Sequence, residues 1–261
     1  MTGATASGGV VPLWRLPDFR RYWVAREVSI AGTLVTAVAL PVLVYRLTGS
    51  PSLTALIAVV EGLPYLMFGL VSGALSDRLD RRQVMVLADL VAAVVIASVP
   101  LAHWFGTLTA AHALLAGFLA QAAFVFFDGA AFGALPAIVG RERIGEANAA
   151  IWGVGSFLDL GVPMLAGVLL AVVDPAVLLG LDALSFALSA ACVAGIRSRL
   201  SEERGVVPKL RPRVLAAEVA EGLRFLWGHA GVRSQTIIGF LLSFSGAGFM
   251  SLSVPYADQL L

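Results

Sequence analysis

The sequence predicts an all-α polytopic membrane protein, and three observations carry that class. Hydrophobic residues make up 59% of the 261 residues and charged residues 13%, against roughly 45–50% and about 25% in soluble domains. The apolar residues gather into seven runs, Tyr22–Leu47, Leu53–Ser76, Val84–His103, Leu108–Val139, Ala147–Val173, Ala176–Ile196 and Ser234–Pro255, each near or above the roughly 20 residues with which a helix crosses a bilayer. Charge is concentrated between the runs. Asp77, Arg78, Asp80, Arg81 and Arg82 crowd the stretch Gly73–Met85, which therefore reads as a tight loop on one membrane face.

Taken in order, residues 1–21 are an expected cytoplasmic tail. Met1–Leu13 is rich in Gly, Ala and Thr and lacks the basic start and apolar stretch of a signal peptide, so it is expected to be disordered. Residues 22–196 make a six-helix unit. Thr48-Gly49-Ser50-Pro51 ends the first helix and starts the second, with glycine as C-cap, serine as N-cap and proline in the first turn. Asp174-Pro175 turns the chain in the same way between the fifth and sixth. Gly69 and Gly73 in the second helix, and Gly129 and Gly133 in the fourth, have the spacing at which helices pack closely.

Residues 197–233 are a linker in which Leu215, Val219, Leu223, Leu226 and Trp227 recur at helical spacing opposite Glu218, Glu221 and Arg224. That pattern predicts an amphipathic helix along the membrane surface, either a connector packed on the bundle or a partner-binding element. Residues 234–261 supply the seventh helix. Of the 18 lysines and arginines, all but Arg46 fall on one side if the N-terminus is cytoplasmic. The positive-inside rule then predicts a multi-pass protein of the inner (plasma) membrane with its N-terminus in the cytoplasm.

The run G-A-L-S-D-R-L-D-R-R, from Gly73 to Arg82, resembles the loop between helices two and three of the major facilitator superfamily of secondary transporters. Asp80 stands where most of that superfamily has glycine, and an acidic residue there is common in the branch of macrolide, drug and siderophore exporters. Gly161, Pro163 and Gly167 in the fifth helix are similar to the glycine-proline-glycine motif of exporters, with valine and alanine in place of two of its glycines. Asp182 to Phe186 also looks like the exporter branch. An internal echo, Ala39–Arg46 repeated as Ala134–Arg141, fits the three-plus-three inverted repeats of each six-helix half. The resemblance implies a six-helix N-terminal bundle plus helix seven, a truncated chain, and a missing C-terminal half as partner. It also implies that Gly73, Asp77, Arg78, Arg81 and Arg82 form a conformational latch, with the aspartate meeting the positive end of a helix dipole in the second half.

Any chemistry must come from ionisable residues inside the helices: Arg26, Glu27, Glu61, Asp89, Asp128, Asp159 and Asp182. A charge at the bilayer centre costs at least about 2.5–3.5 kcal/mol on insertion scales, so these groups are expected to be paired, protonated or facing a water-filled cavity. Asp182 lies near the outer end of its helix and Asp89 near the inner end of its own, where water or a capping role is expected. At about 1.5 Å per residue, Glu61, Asp128 and Asp159 lie roughly 14–18 Å deep. Glu27 is shallower, but the resemblance puts helices one and four along the central cavity. Glu27, Glu61, Asp128 and Asp159 are therefore the candidates for proton coupling and substrate binding. In that family the equivalent of Asp128 can contact the loop arginines, so Asp128 is either structural or functional. A carboxylate that is emptied to take a cationic drug and protonated to release it would couple the two flows.

Other classes fit poorly. Cys192 is the single cysteine, in an apolar run, and reads as a small buried hydrophobe. His103, His112 and His229 lack metal-ligand spacing. No G-x-S-x-G elbow, P-loop or dinucleotide fingerprint is present, and the only lysine, Lys209 in the linker, is misplaced for a retinal Schiff base. No enzyme activity, cofactor, metal or nucleic-acid partner is expected. The predicted function is proton-coupled efflux of a drug, macrolide or siderophore-like small molecule by alternating access. The alternative is a transport-inactive half-transporter serving as a membrane interaction module. The topology has a direct check: cysteines at Thr107 and at Gln83, in a Cys192→Ala background, should react with an impermeant maleimide from opposite sides. Labelling from the same side contradicts the orientation.

Overall fold

The computed structural model describes residues 12–201, 212–242 and 245–246. Among these, regular structure is helical without a strand: α1 Pro17–Thr48, α2 Pro51–Ser76, α3 Arg81–Trp104, α4 Ala110–Val139, α5 Ile144–Leu169, α6 Pro175–Ala194 and α7 Pro212–Gly228, with short 3-10 turns at Leu13–Arg15 and Arg141–Arg143. Six helices, α1 to α6, are long and apolar enough to cross a membrane. Helix is the form such sequences take because hydrocarbon supplies no partner for a backbone N–H or C=O, and a helix satisfies both within itself.

The helix ends follow local chemistry. Ser50 accepts from the Leu53 amide at 3.3 Å and Pro51 opens α2. Gly49 closes α1 at φ 61°, a left-handed conformation that glycine adopts freely. Asp174 accepts from the Ala176 amide at 2.8 Å ahead of Pro175. Asp80, the departure from the superfamily glycine, caps α3 by accepting from the Gln83 amide at 3.0 Å. Arg46 donates to the Leu170 carbonyl at 3.2 Å beyond the end of α5.

Helix α1 begins at Pro17, inside the segment read as a tail, because proline at the first helical position starts the helix there. Leu13, expected to be disordered, is buried, and Trp14 meets Phe19 and Trp23 edge-on at 5.6 and 5.1 Å. Met1 to Val11 lie outside the described residues. The expected linker helix is present as α7, which meets α2. Residues 230–242 are helical, but the rest of the expected seventh span lies outside the described residues apart from 245–246.

The packing carries an internal symmetry. Helix α6 lies between α1 and α3, α4 lies between α3 and α2, and α5 packs on α1. Exchanging α1 with α4, α2 with α5 and α3 with α6 reproduces the same set of contacts, as two inverted three-helix repeats require. The symmetry mates α2 and α5 are also the least covered. Only 17% and 11% of their apolar stretch is buried, against 44–50% in the other four.

Close approach occurs where a missing Cβ allows it. At Gly32 of α1 an added Cβ would collide with the Asp182 and Ser185 side chains of α6, and at Gly129 of α4 it would lie 3.3 Å from the Ser72 backbone of α2. At Gly133 the space is taken by the Arg81 guanidinium, 2.7 Å away. The expectation for the fourth-helix pair thus holds. Among the described residues no such approach occurs at Gly69, Gly73, Gly161 or Gly167, where an added Cβ would meet nothing within 4 Å; all four lie on the poorly covered helices. Ala166, which stands at a motif glycine, is buried. Gly32→Val should lower stability in detergent by about 1–3 kcal/mol through overpacking, whereas Gly69→Ala should leave thermal unfolding unchanged; equal unfolding temperatures for the two variants contradict the α1–α6 contact.

Candidate functional site

Two polar groupings lie inside the apolar bundle. The first centres on α1. Arg26 Nη1 is 2.9 Å from Asp128 Oδ1 of α4, with the arginine side chain 15% exposed and the aspartate 40%. The Tyr22 hydroxyl, beside Arg26, donates to the Ala131 carbonyl at 3.0 Å and so fixes α1 against α4. Glu27 is 6% exposed and neither of its carboxylate oxygens has a hydrogen-bond partner. The charges acting on it are Arg26 and Asp159 of α5. Asp159 itself lies on the exposed side of α5.

The second grouping is a cavity of about 180 Å³ between α1, α2, α4 and α6. Thr33, Thr36, Glu61, Gln121 and Asp182 supply its polar wall, and Phe124 and Phe186 its aromatic one. The Thr36 hydroxyl donates to Asp182 Oδ2, and the Ser185 hydroxyl donates to Oδ1 at 3.1 Å. Tyr65 of α2 lies near Gln121 and in the field of Asp128 and Arg26. The cavity and the ion pair therefore adjoin.

Of the four acids predicted from sequence, the structure sets Glu27 and Asp128 beside Arg26, leaves Asp159 exposed on α5 with its charge acting on Glu27, and puts Glu61 in the cavity. Asp128 takes Arg26 as its partner, not the loop arginines, because Arg81 instead packs over Gly133 one turn further along α4. Two expectations from depth are corrected. Asp182 is 1% exposed and bonded within the bundle, and Asp89 is 2% exposed against Ser189 of α6. Both face a neighbouring helix, so their distance from a helix end does not admit water. Sequence reasoning missed Thr36, Gln121 and the role of Asp182. The signal was available as a polar stripe at helical spacing, Asp182, Ser185 and Ser189.

The loop after α2 is tied to the chain following α6. Arg82 donates to the Ser198 carbonyl at 2.6 Å, Arg81 donates to the Leu200 carbonyl at 3.1 Å, and the Arg81 amide donates to the Ser201 hydroxyl at 3.1 Å. Arg81 also reaches Asp77 at 3.2 Å. Asp18, at the start of α1, accepts from the Arg197 and Ser198 amides at 3.1 and 2.8 Å and from the Ser198 hydroxyl at 2.6 Å. Among the described residues no cluster of His, Cys, Asp or Glu could hold a metal ion.

The chain matches the transmembrane secretion effector family of the major facilitator superfamily over residues 7–256. It is 30% identical over 222 residues to the multidrug efflux pump Tap of Mycobacterium tuberculosis, covering 82% of this chain and 52% of that protein. It is 24% identical over 237 residues to macrolide efflux protein A of Streptococcus pyogenes, covering 88% and 56%. To the enterobactin exporter EntS of Shigella dysenteriae it is 28% identical over 236 residues, covering 88% and 54%. The chain thus spans about half the length of the curated relatives it matches. No solved structure matches it significantly. With the match running through nearly all of the chain, and with the paired three-helix packing, the chain belongs to the transmembrane secretion effector family of the major facilitator superfamily.

Proposed function

We propose that the chain supplies the first half of a secondary active exporter in the inner (plasma) membrane, with its N-terminus in the cytoplasm, moving a small molecule outward by alternating access in exchange for protons. The observation that carries this reading is Glu27, buried and without a hydrogen-bond partner among the described residues, next to the Arg26–Asp128 pair inside the bundle. Apolar replacements would suit a merely structural bundle better, since burying charge costs free energy that packing does not return. A carboxyl group that meets water on one face and a dry interior on the other can take up and release a proton in each cycle. Glu27, Glu61, Asp128 and Asp159 are the proposed coupling and substrate-cavity groups. The efflux activities of the relatives support a drug, macrolide or siderophore-like cargo.

The poor burial of α2 and α5 supports a second six-helix half as the partner that covers them. In the assembled transporter Gly73, Asp77, Arg78, Arg81 and Arg82 form the latch, with Asp77, exposed at the end of α2, meeting a helix N-terminus of that half. The same exposed faces favour a second reading, a transport-inactive module that binds another membrane protein. Transport assays separate the two.

In proteoliposomes of the complete transporter, Glu27→Gln, Glu61→Gln, Asp128→Asn and Asp159→Asn are expected to include at least one variant that loses substrate-induced proton release. Wild-type release in all four places coupling elsewhere. Asp77→Asn should abolish transport and leave substrate binding measurable; normal transport by that variant removes the latch.

A further inference from the structure

The face of α6 that meets α1 and α3 is polar over two turns, and its far end, at Ser189, has no completed hydrogen bond. Asp182, Ser185 and Ser189 lie on it at helical spacing. Helices α1 and α6 run antiparallel, with Thr36 bonded to Asp182 and Gly32 against Ser185. The same register sets Ser29, one turn before Gly32, level with Ser189, one turn after Ser185. From α3, Asp89 faces Ser189 and lies in the field of Asp182. Asp89, Ser29 and Ser189 are 2%, 0% and 0% exposed. Among the described residues Asp89 Oδ2 and both serine hydroxyls form no well-made hydrogen bond, the Ser189 hydroxyl lying near Asp89 without completing one.

Three buried orphan groups at one junction are unusual in native structures, where nearly every buried polar atom is satisfied by protein or by ordered water. Such a site, polar and shared by three helices, is the kind that retains internal water with two to four partners per molecule. We propose that the α1–α3–α6 junction holds internal water and forms a proton relay from the Glu61–Asp182 cavity to Asp89.

Distance requires the intermediates. Asp182 and Ser189 are separated by about 10 Å along α6, at about 1.5 Å per residue, whereas a hydrogen bond spans about 2.7–3.2 Å. Ser185, Ser189 and Ser29, joined by water, close that gap. A proton leaving the Asp182 carboxyl passes down the chain as each hydroxyl or water accepts one proton and donates its own. Asp89 carboxylate takes the last, so that one acid is emptied and the other filled with no net chemistry. The charged groups around the junction are few. Asp182 faces it from α6, and α1 contributes hydroxyls. On α4, packed against the far side of α3, Asp128 is held by Arg26 and His112 bonds to Ser98 at 2.8 Å. Gly32 matters here because its missing side chain lets α1 close over Asp182 and Ser185, which keeps the relay away from lipid.

The role in transport rests on the proton-coupled reading above, whereas hydration of the junction does not, and the test separates them. The infrared carboxyl band removed by Asp89→Asn is followed in the membrane-embedded protein after transfer to D2O. Exchange of that band should slow by about tenfold or more in Ser189→Val and Ser189→Ala and recover in Ser189→Thr, which restores the hydroxyl. Substrate-driven proton movement in proteoliposomes should fall in parallel, with substrate affinity unchanged. Wild-type exchange in both Ser189→Val and Ser189→Ala overturns the relay. Slowed exchange in a protein whose wild type moves no protons leaves the hydrated junction standing and removes the coupling. Wild-type proton movement alongside slowed exchange overturns its part in transport.

Discussion

A bilayer core offers no hydrogen bonds, and that constraint orders this molecule at every level. It makes the spans continuous helices, and it confines the caps to the turns, where Ser50, Asp80 and Asp174 satisfy the first amides of α2, α3 and α6. It also makes each interior acid conspicuous. Asp128 has Arg26, Asp182 has two hydroxyls, and Glu27 has none. The interior acids thus differ in how far the protein itself satisfies them.

Much of this was legible in the sequence because helix limits are one-dimensional facts. Thr48-Gly49-Ser50-Pro51 and Asp174-Pro175 mark turns by their own stereochemistry, and the spans follow from counting apolar residues. Partners are a different matter, since they depend on which face of a helix meets which neighbour. Depth along α6 is a correct measure for Asp182, yet it says nothing about Thr36 and Ser185 closing over it. Gly32 had no signal of its own: a single glycine in an apolar helix reads the same whether its face is open or pressed against α6. Gly69 and Gly73 show the converse, with the right spacing on a face that no described residue covers.

The internal symmetry explains why the exposed helices come as a pair. If the repeat is inverted, the surroundings of α2 and α5 must be alike, and whatever leaves one uncovered leaves the other uncovered too. Leu66 and Met67 on α2 and Phe157 and Leu160 on α5 are all more than half exposed. The core is built instead from α1, α3, α4 and α6, whose alanines at positions 92, 116, 130 and 131 are buried and allow close axes. Function tracks the same division. The ion pair joins α1 to α4 and the proposed relay joins α1, α3 and α6, while the outer pair adds Glu61, Tyr65 and Asp159.

One end of the bundle ties these parts together. Helix α6 carries the polar stripe, and the chain that leaves it is held by Asp18 of α1 and by Arg81 and Arg82 at the start of α3. These are charge-assisted bonds, roughly twice as strong as neutral ones, and they link three helices that also enclose the Asp89–Ser189 junction. A shift of α6 along its axis cannot leave them intact. It would pull Ser198 from Asp18 or Arg82, and by the same displacement move Ser185 and Ser189 relative to Gly32 and Asp89. The loop motif and the buried acids therefore share α6, which carries Asp182 within the bundle and runs into the chain that Asp18, Arg81 and Arg82 hold.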